Sequence, residues 1–486
     1  MMAQSRPAEN RPRRSPFLCG GTSTGRHPLP WFRAIPLLLL CGSAKSNAQD
    51  LASLDIVGSW IGIATVVLFV IAYILAASEE FTRIRKSKPM ILGAGIIWIL
   101  LAIHAVQAGR PTDDLTGAVE HYLSDYAALF LFLLVAMTYV NVLTERNLFA
   151  ALRSWLIRLN FSYRKIFWMT GLLAFCLSPV VDNLTTALLM GAVAVTVGCD
   201  NPRFIPVACI NIVVAANAGG AFSPFGDITT LMVWQAGKVP AQQFLLLFVP
   251  SLVNFLIPAA IMHFAVPTGI PGTELESVKL KRGTFVVCAL FFATIATALT
   301  FEQFLHLPPF MGMMTGLSYL MFYSILLKRD DLADRHPDQF NIFRNVAQAE
   351  WDTLLFFFGV IFAVGGLDYA GHLALVSEST YGHLGPTIAN ILIGFMSAFI
   401  DNIPITFAVL SMDPSMAVDQ WLLLCLTAGV GGSLLSIGSA AGVALMGQSA
   451  GYYTFFRHLK WSWAVALGYL ASVAAHVALT AQLWEL

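Results

Sequence analysis

The chain has 486 residues, of which 57% are hydrophobic and only 12% charged. That is too little charge to solvate an ordinary globular surface, and it points to a membrane protein. Lys plus Arg and Asp plus Glu both number 28, which excludes the basic excess of a nucleic-acid binder.

In chain order, the first 50 residues stand apart. Arg6, Arg11, Arg13, Arg14, Arg26 and Arg33 surround or precede a short apolar run at 34–42, and a small-residue site follows at Ser46-Asn47-Ala48. This resembles a secretory signal. Its basic region is long, so a start placed too far upstream, or an Arg-rich transit peptide leading to a chloroplast envelope, stay open as alternatives. The remainder divides into a first half at 51–270 and a second at 271–486.

A membrane-crossing helix needs roughly 20 apolar residues. Runs of that kind fall at 61–77, 91–108, 127–143, 205–234, 244–265, 285–300, 311–327, 354–367, 421–446 and 461–483. With the mature N-terminus outside, the positive-inside bias tests the topology. Expected cytoplasmic loops hold Arg83, Arg85, Lys86 and Lys88, then Arg146, Arg153, Arg158, Arg164 and Lys165, with later clusters around Lys281, Lys328 and Arg457. Expected outer loops hold Arg110 and Lys238. The seven cysteines, Cys19, Cys41, Cys176, Cys199, Cys209, Cys288 and Cys425, show no CxxC or metal-like spacing and read as packing residues.

The charge pattern holds only if two leftover segments, 166–197 and 388–410, each enter and leave on one side as re-entrant hairpins. The first is flanked by Lys165 and Arg203 and opens to the cytoplasm; the second has no flanking Lys or Arg and opens outward. Their midpoints read Ser178-Pro179-Val180-Val181-Asp182-Asn183 and Ala398-Phe399-Ile400-Asp401-Asn402-Ile403-Pro404. Non-helical backbone at this depth needs cover from protein or a water-filled cavity, so each tip is a candidate site.

After each hairpin comes a glycine-rich interruption of the next span. Gly219, Gly220 and Gly226 superpose without a gap on Gly431, Gly432 and Gly438. The expected fold is therefore all-α and polytopic, with inverted-topology repeats carrying two re-entrant hairpins and two broken helices. Such breaks free backbone carbonyls, and Asp227, Thr229, Thr230, Ser436 and Ser439 add side-chain oxygens that suit a hard cation. Close helix packing is the structural alternative for the glycines.

An ionised carboxylate at mid-membrane costs at least roughly 2.5 to 3.5 kcal/mol, which marks Asp182 and Asp401. Either could also be a helix cap. Thr185 and Thr186 fit backbone bonding as well as ligation. Glu120, His121 and Asp125 read as a solvated outer loop. Asp227 has Ser439 as its counterpart in the second repeat, so it is the expected residue to alternate between a proton and sodium.

Asp-Asn-x-Thr-Thr at the first tip, Ala-Asn-Ala-Gly-Gly-Ala-x-Ser-Pro-x-Gly-Asp-x-Thr-Thr at the first break and Asp-Asn-Ile-Pro at the second tip resemble the NhaD-type sodium/proton antiporters. These belong to the ion transporter superfamily that also holds arsenite and dicarboxylate carriers. The resemblance covers the chain from about residue 54 onward. It implies sodium or lithium exchange for protons in an inner membrane, a homodimer, no cofactor, and a moving domain that contains both hairpins. The family's site roles transfer to Asp182, Asn183, Asn217, Asp227, Thr229, Thr230, Asp401, Asn402, Ser436 and Ser439, with Thr186 beside them.

Related anion carriers place Ser before the tip Asn. A carboxylate about 4 Å from an anion would repel it by roughly 4 kcal/mol at an effective dielectric of 20. A sodium-coupled small-anion carrier is the runner-up. An intramembrane aspartyl protease also needs two aspartates, but Pro224-Phe225-Gly226-Asp227 departs from its Gly-x-Gly-Asp motif. Asp182→Asn and Asp401→Asn are each expected to insert and to abolish exchange.

Overall fold

A computed structural model of the chain describes residues 54–484 apart from 55, 160, 200, 273–277, 334–339 and 450. The expected signal segment lies outside the described residues. Among those residues all regular structure is helical, and nine helices are long and apolar enough to cross a membrane.

The helices run α1 (Trp60–Ala77), α2 (Ser87–Gln107), α3 (Thr112–Glu145), α4 (Leu148–Arg158), α5 (Tyr163–Val181), α6 (Asn183–Gly198), α7 (Phe204–Gly220), α8 (Ile228–Gln235) and α9 (Phe248–His263) in the first half. The second half holds α10 (Thr284–Leu305), α11 (Pro309–Ala333), α12 (Trp351–Tyr369), α13 (Pro386–Met396), α14 (Asn402–Met412), α15 (Val418–Gly431), α16 (Ala440–Gln448) and α17 (Ser462–Trp484). The expected spans 205–234 and 421–446 each fall into two helices, α7 with α8 and α15 with α16. The segments 166–197 and 388–410 become α5 with α6 and α13 with α14.

One expectation fails. Glu120, His121 and Asp125 do not sit in a loop; they lie inside α3, which begins well before the apolar run. Asp113 and Asp114 in its first turn suit the positive end of the helix dipole, and Pro111 precedes it. Of the polar residues that suggested a loop, His121 and Asp125 line a cavity and Glu120 is exposed.

The packing separates two groups. In one, α1 packs on α2, α2 on α12, α12 on α3, α3 on α11, and α11 on α10. In the other, α5 and α6 pack on α7, α13 on α15, and α9 on α17. Every residue of α7 is buried, as is α15 from Trp421 onward. The second half of each broken helix packs on a hairpin arm from the opposite half of the chain: α8 on α14, and α16 on α6. Both breaks and both tips meet at that crossing.

The two halves repeat their contacts in register. Ser178 Oγ donates to the Ala216 carbonyl at 2.6 Å, and Ser397 Oγ to the Ala428 carbonyl at 2.8 Å. A Cβ at Gly219 would lie 2.3 Å from the Phe175 carbonyl oxygen, and one at Gly431 would lie 2.1 Å from that of Gly394. Each serine lies four residues before its tip aspartate, and Phe175 and Gly394 each lie seven before. These glycines let helix backbones touch, the close packing that small residues permit.

Candidate functional site

Each break begins where glycine backbone crowds glycine backbone. A Cβ on Gly220 would sit 2.7 Å from the Gly226 carbonyl oxygen, and one on Gly432 would sit 2.6 Å from that of Gly438. Gly226 abuts Pro179 of α5 and Gly438 abuts Ala398, so each break is pressed against its own hairpin. The chain then restarts a helix behind an N-cap. Asp227 Oδ1 accepts from the Thr229 amide at 3.2 Å, and Ser439 Oγ accepts from the Gly442 amide at 3.3 Å.

Both tips converge on Asp227, which is buried. From the first tip, Asn183 Nδ2 donates to Asp227 Oδ2 at 3.3 Å and to Asn217 Oδ1 at 3.2 Å. From the second, Asn402 Nδ2 donates to Asp227 Oδ2 at 3.0 Å and to Oδ1 at 3.3 Å. Asn217 Nδ2 continues the network to Ser433 Oγ at 2.8 Å and Ser439 Oγ at 3.0 Å. One carboxylate is thus held by amides from hairpins far apart in sequence, in a setting of low effective dielectric where such bonds are strong.

The remaining candidates divide. Thr186 Oγ1, Thr229 Oγ1, Ser436 Oγ and Asp401 Oδ1 are buried atoms without a hydrogen-bond partner. Buried oxygens are normally satisfied, and oxygens left unpaired suit a dehydrated cation. Thr230 behaves otherwise, since its Oγ1 donates to the carbonyls of Ser223 and Asp227, both at 2.7 Å, and braces the break. Asp182 caps α6: Oδ1 accepts from the Thr185 amide and Oδ2 from Thr185 Oγ1, both at 2.8 Å.

Two cavities flank the crossing. A cavity of about 1060 Å³ is lined by residues such as Asp125, Gln235, Asp368 and Asp413, with Leu129, Met232 and Phe407 among its walls. A slit of about 90 Å³ reaches Asp182, Asn183, Asp227 and Asn402, and includes Lys86, Asn141, Glu350 and Thr353. Those last residues lie at helix ends that the positive charges assign to the cytoplasm.

Ser433, inside the second break, and three residues outside the motifs complete the surroundings. Ser433 anchors Asn217. His458, outside the spanning helices, meets the Ser433 carbonyl through Nε2 at 2.9 Å and the Tyr453 hydroxyl through Nδ1 at 2.7 Å. Burial pushes its imidazole down to about 4, so the ring is neutral at ordinary pH, with Nε2–H donating and Nδ1 accepting. Tyr73 of α1 accepts the Asp401 backbone amide at 2.7 Å. No periodicity marks these residues, because each acts across long sequence distances.

The citrate transporter (CitMHS) family model matches residues 54–431. A Na(+)/H(+) antiporter NhaD from Alkalimonas amylolytica is 52% identical over 93% of this chain and 97% of its own. One from Vibrio cholerae is 50% identical over 92% of this chain and 98% of its own. Sodium/proton antiporter 1 of Arabidopsis thaliana is 31% identical over 86% of this chain and 73% of its own.

Proposed function

Because the chain belongs to the citrate transporter (CitMHS) family, and within it to the NhaD-type sodium/proton antiporters, we propose that this multi-pass membrane protein exchanges sodium for protons by alternating access. Lithium is the alternative cargo. The observation that carries the reading is the Asp227 carboxylate gripped by Asn183 and Asn402, one amide from each tip. When Asp227 is ionised, its carboxylate offers a small cation oxygen ligands in place of those it loses with its water. When it is protonated, the charge that held the cation is gone. Proton and sodium therefore compete for one group, which couples their movements in opposite directions.

The contacts repeated in register support inverted-topology repeats, with α5–α6 and α13–α14 as opposed re-entrant hairpins. The slit that reaches the site runs toward the helix ends assigned to the cytoplasm, so the present conformation is read as open inward. The group containing α5–α9 and α13–α17 is the moving body, and the homodimer implied by the family would hold the other group still. The bacterial relatives support an inner, cytoplasmic membrane as the location.

The family description names citrate, and the site argues against an anion of that size. Small-molecule pockets run to about 300–1,000 Å³, whereas the slit at Asp227 measures about 90 Å³. The Asn183 and Asn402 amides that could bind an anion are engaged by a carboxylate. In everted vesicles with an acid interior, added sodium is expected to alkalinise the lumen. Failure to move protons, together with sodium-dependent uptake of a labelled carboxylate, would establish the anion carrier instead.

A further inference from the structure

Aromatic contacts join the two helix groups. Phe132 of α3 stacks on Phe225 at 5.7 Å and meets Trp234 of α8 edge-on at 6.2 Å, while Tyr122 of α3 meets Phe407 of α14 at 6.4 Å. Contacts of this kind are weakly directional and survive a change of partner. A hydrogen bond does not, because it weakens steeply with distance and angle. Tyr73 makes such a bond: its hydroxyl takes the backbone amide of Asp401 at 2.7 Å. Tyr73 belongs to α1, which packs on α2 and α12, and its ring stacks on Phe69 at 6.1 Å.

The bond falls where the second tip lacks a fastening of its own. Asp401 occupies the N-cap position of α14 without a side-chain capping bond, and its Oδ1 is buried and unpaired. The next residue is Asn402, whose amide grips both oxygens of Asp227. We propose that Tyr73 is a positioning residue that fixes the second tip, and through it the Asn402 amide, only in the cytoplasm-open state. The inference rests on the exchange reading: when α14 moves relative to α1, the bond breaks, and the site that faces outward forms without it.

Tyr73→Phe removes one oxygen and keeps the ring. Apparent sodium KM is measured from the cytoplasmic side in everted vesicles and from the external side in right-side-out vesicles. A neutral hydrogen bond is worth roughly 0.5–1.5 kcal/mol, about 2- to 12-fold, so the cytoplasmic KM is expected to rise by about that factor. The external KM stays at the wild-type value. Equal shifts on both sides, or none on either, overturn the proposal. Should the Phe variant not reach the membrane, Tyr73→Gln, which retains an acceptor oxygen, is compared with Tyr73→Leu in the same assay; a smaller cytoplasmic shift for Gln supports the tether, and identical behaviour overturns it. Wild-type vesicles that exchange nothing would sink the sodium/proton reading itself, a result distinct from both.

Discussion

At the first tip, Asp182 folds back on its own helix and spends both carboxylate oxygens on Thr185. At the second, Asp401 leaves its helix uncapped, keeps a buried oxygen unpaired, and is held through its backbone by a tyrosine from the other helix group. The backbones differ as well. Asp182 has φ 75° and ψ 158°, a region that costs a non-glycine residue about 1–3 kcal/mol, whereas Asp401 has φ −47° and ψ 140°. The same dipeptide is thus a self-contained, strained turn on one side and an externally supported, relaxed one on the other. Identical motifs in one chain need not do identical work.

The sharpest way to break this comparison is to neutralise both tips separately. Asp401→Asn removes a carboxylate oxygen that is not committed to a cap and is expected to lose most exchange activity. For Asp182→Asn the structure reverses the loss of exchange expected from the sequence: both carboxylate oxygens are spent on Thr185 and asparagine caps as well as aspartate, so exchange is expected to persist. Equal loss from both variants, measured as sodium-driven proton movement, would mean that the first carboxylate does more than cap.

The asparagines come next. Asn402 directs its amide at both oxygens of Asp227, while Asn183 divides its own between Asp227 and Asn217. Hydrogen bonds to charged groups are worth about 1.5–3 kcal/mol. Asn402→Ala is therefore expected to raise the sodium KM by about 10-fold or more, and Asn183→Ala by less. Reversal of that order in a sodium titration would contradict the geometry.

Packing variants should treat the two halves alike. Gly219→Ala and Gly431→Ala each drive a methyl into a carbonyl oxygen of the neighbouring helix, and overpacking costs about 1–3 kcal/mol. Similar losses of thermal stability in detergent are expected. A large drop for one alone would show that the halves are packed differently. The smallest effect is reserved for Thr185→Val, which deletes one bond to Asp182 and keeps the backbone one. It should cost about 1 kcal/mol of stability and leave the sodium KM unchanged.

Much of this arrangement was legible in the chain because it is written locally. Glycines at matching offsets mark the breaks, and Asp-Asn after a short apolar run marks the tips; the positions of α6, α8, α14 and α16 follow from them. The singling out of Asp227 over Ser439 rested on a difference between repeats, and the structure brings both tip amides to that residue. What could not be read is what lies across space. The length of α3 was hidden because Glu120, His121 and Asp125 look like loop residues, whereas within the helix His121 and Asp125 face a cavity and Glu120 is exposed. Tyr73 and His458 reach the site from elements outside the motifs, and Ser433, inside the second break, meets Asn217 from the opposite half of the chain. The different fates of Asp182 and Asp401 depend on a single threonine side chain and on a tyrosine more than 300 residues away.

The central claim is that Asp227, held between the two tips, is the carboxylate for which sodium and protons compete. Reconstituted wild-type protein, Asp227→Glu and Asp227→Asn are compared by sodium-driven proton movement across a range of pH. The account predicts exchange by the wild type, a displaced pH dependence with reduced rate for Asp227→Glu, and none for Asp227→Asn despite normal insertion. Normal exchange by Asp227→Asn with an unchanged pH profile would contradict it and assign the proton to the tip aspartates.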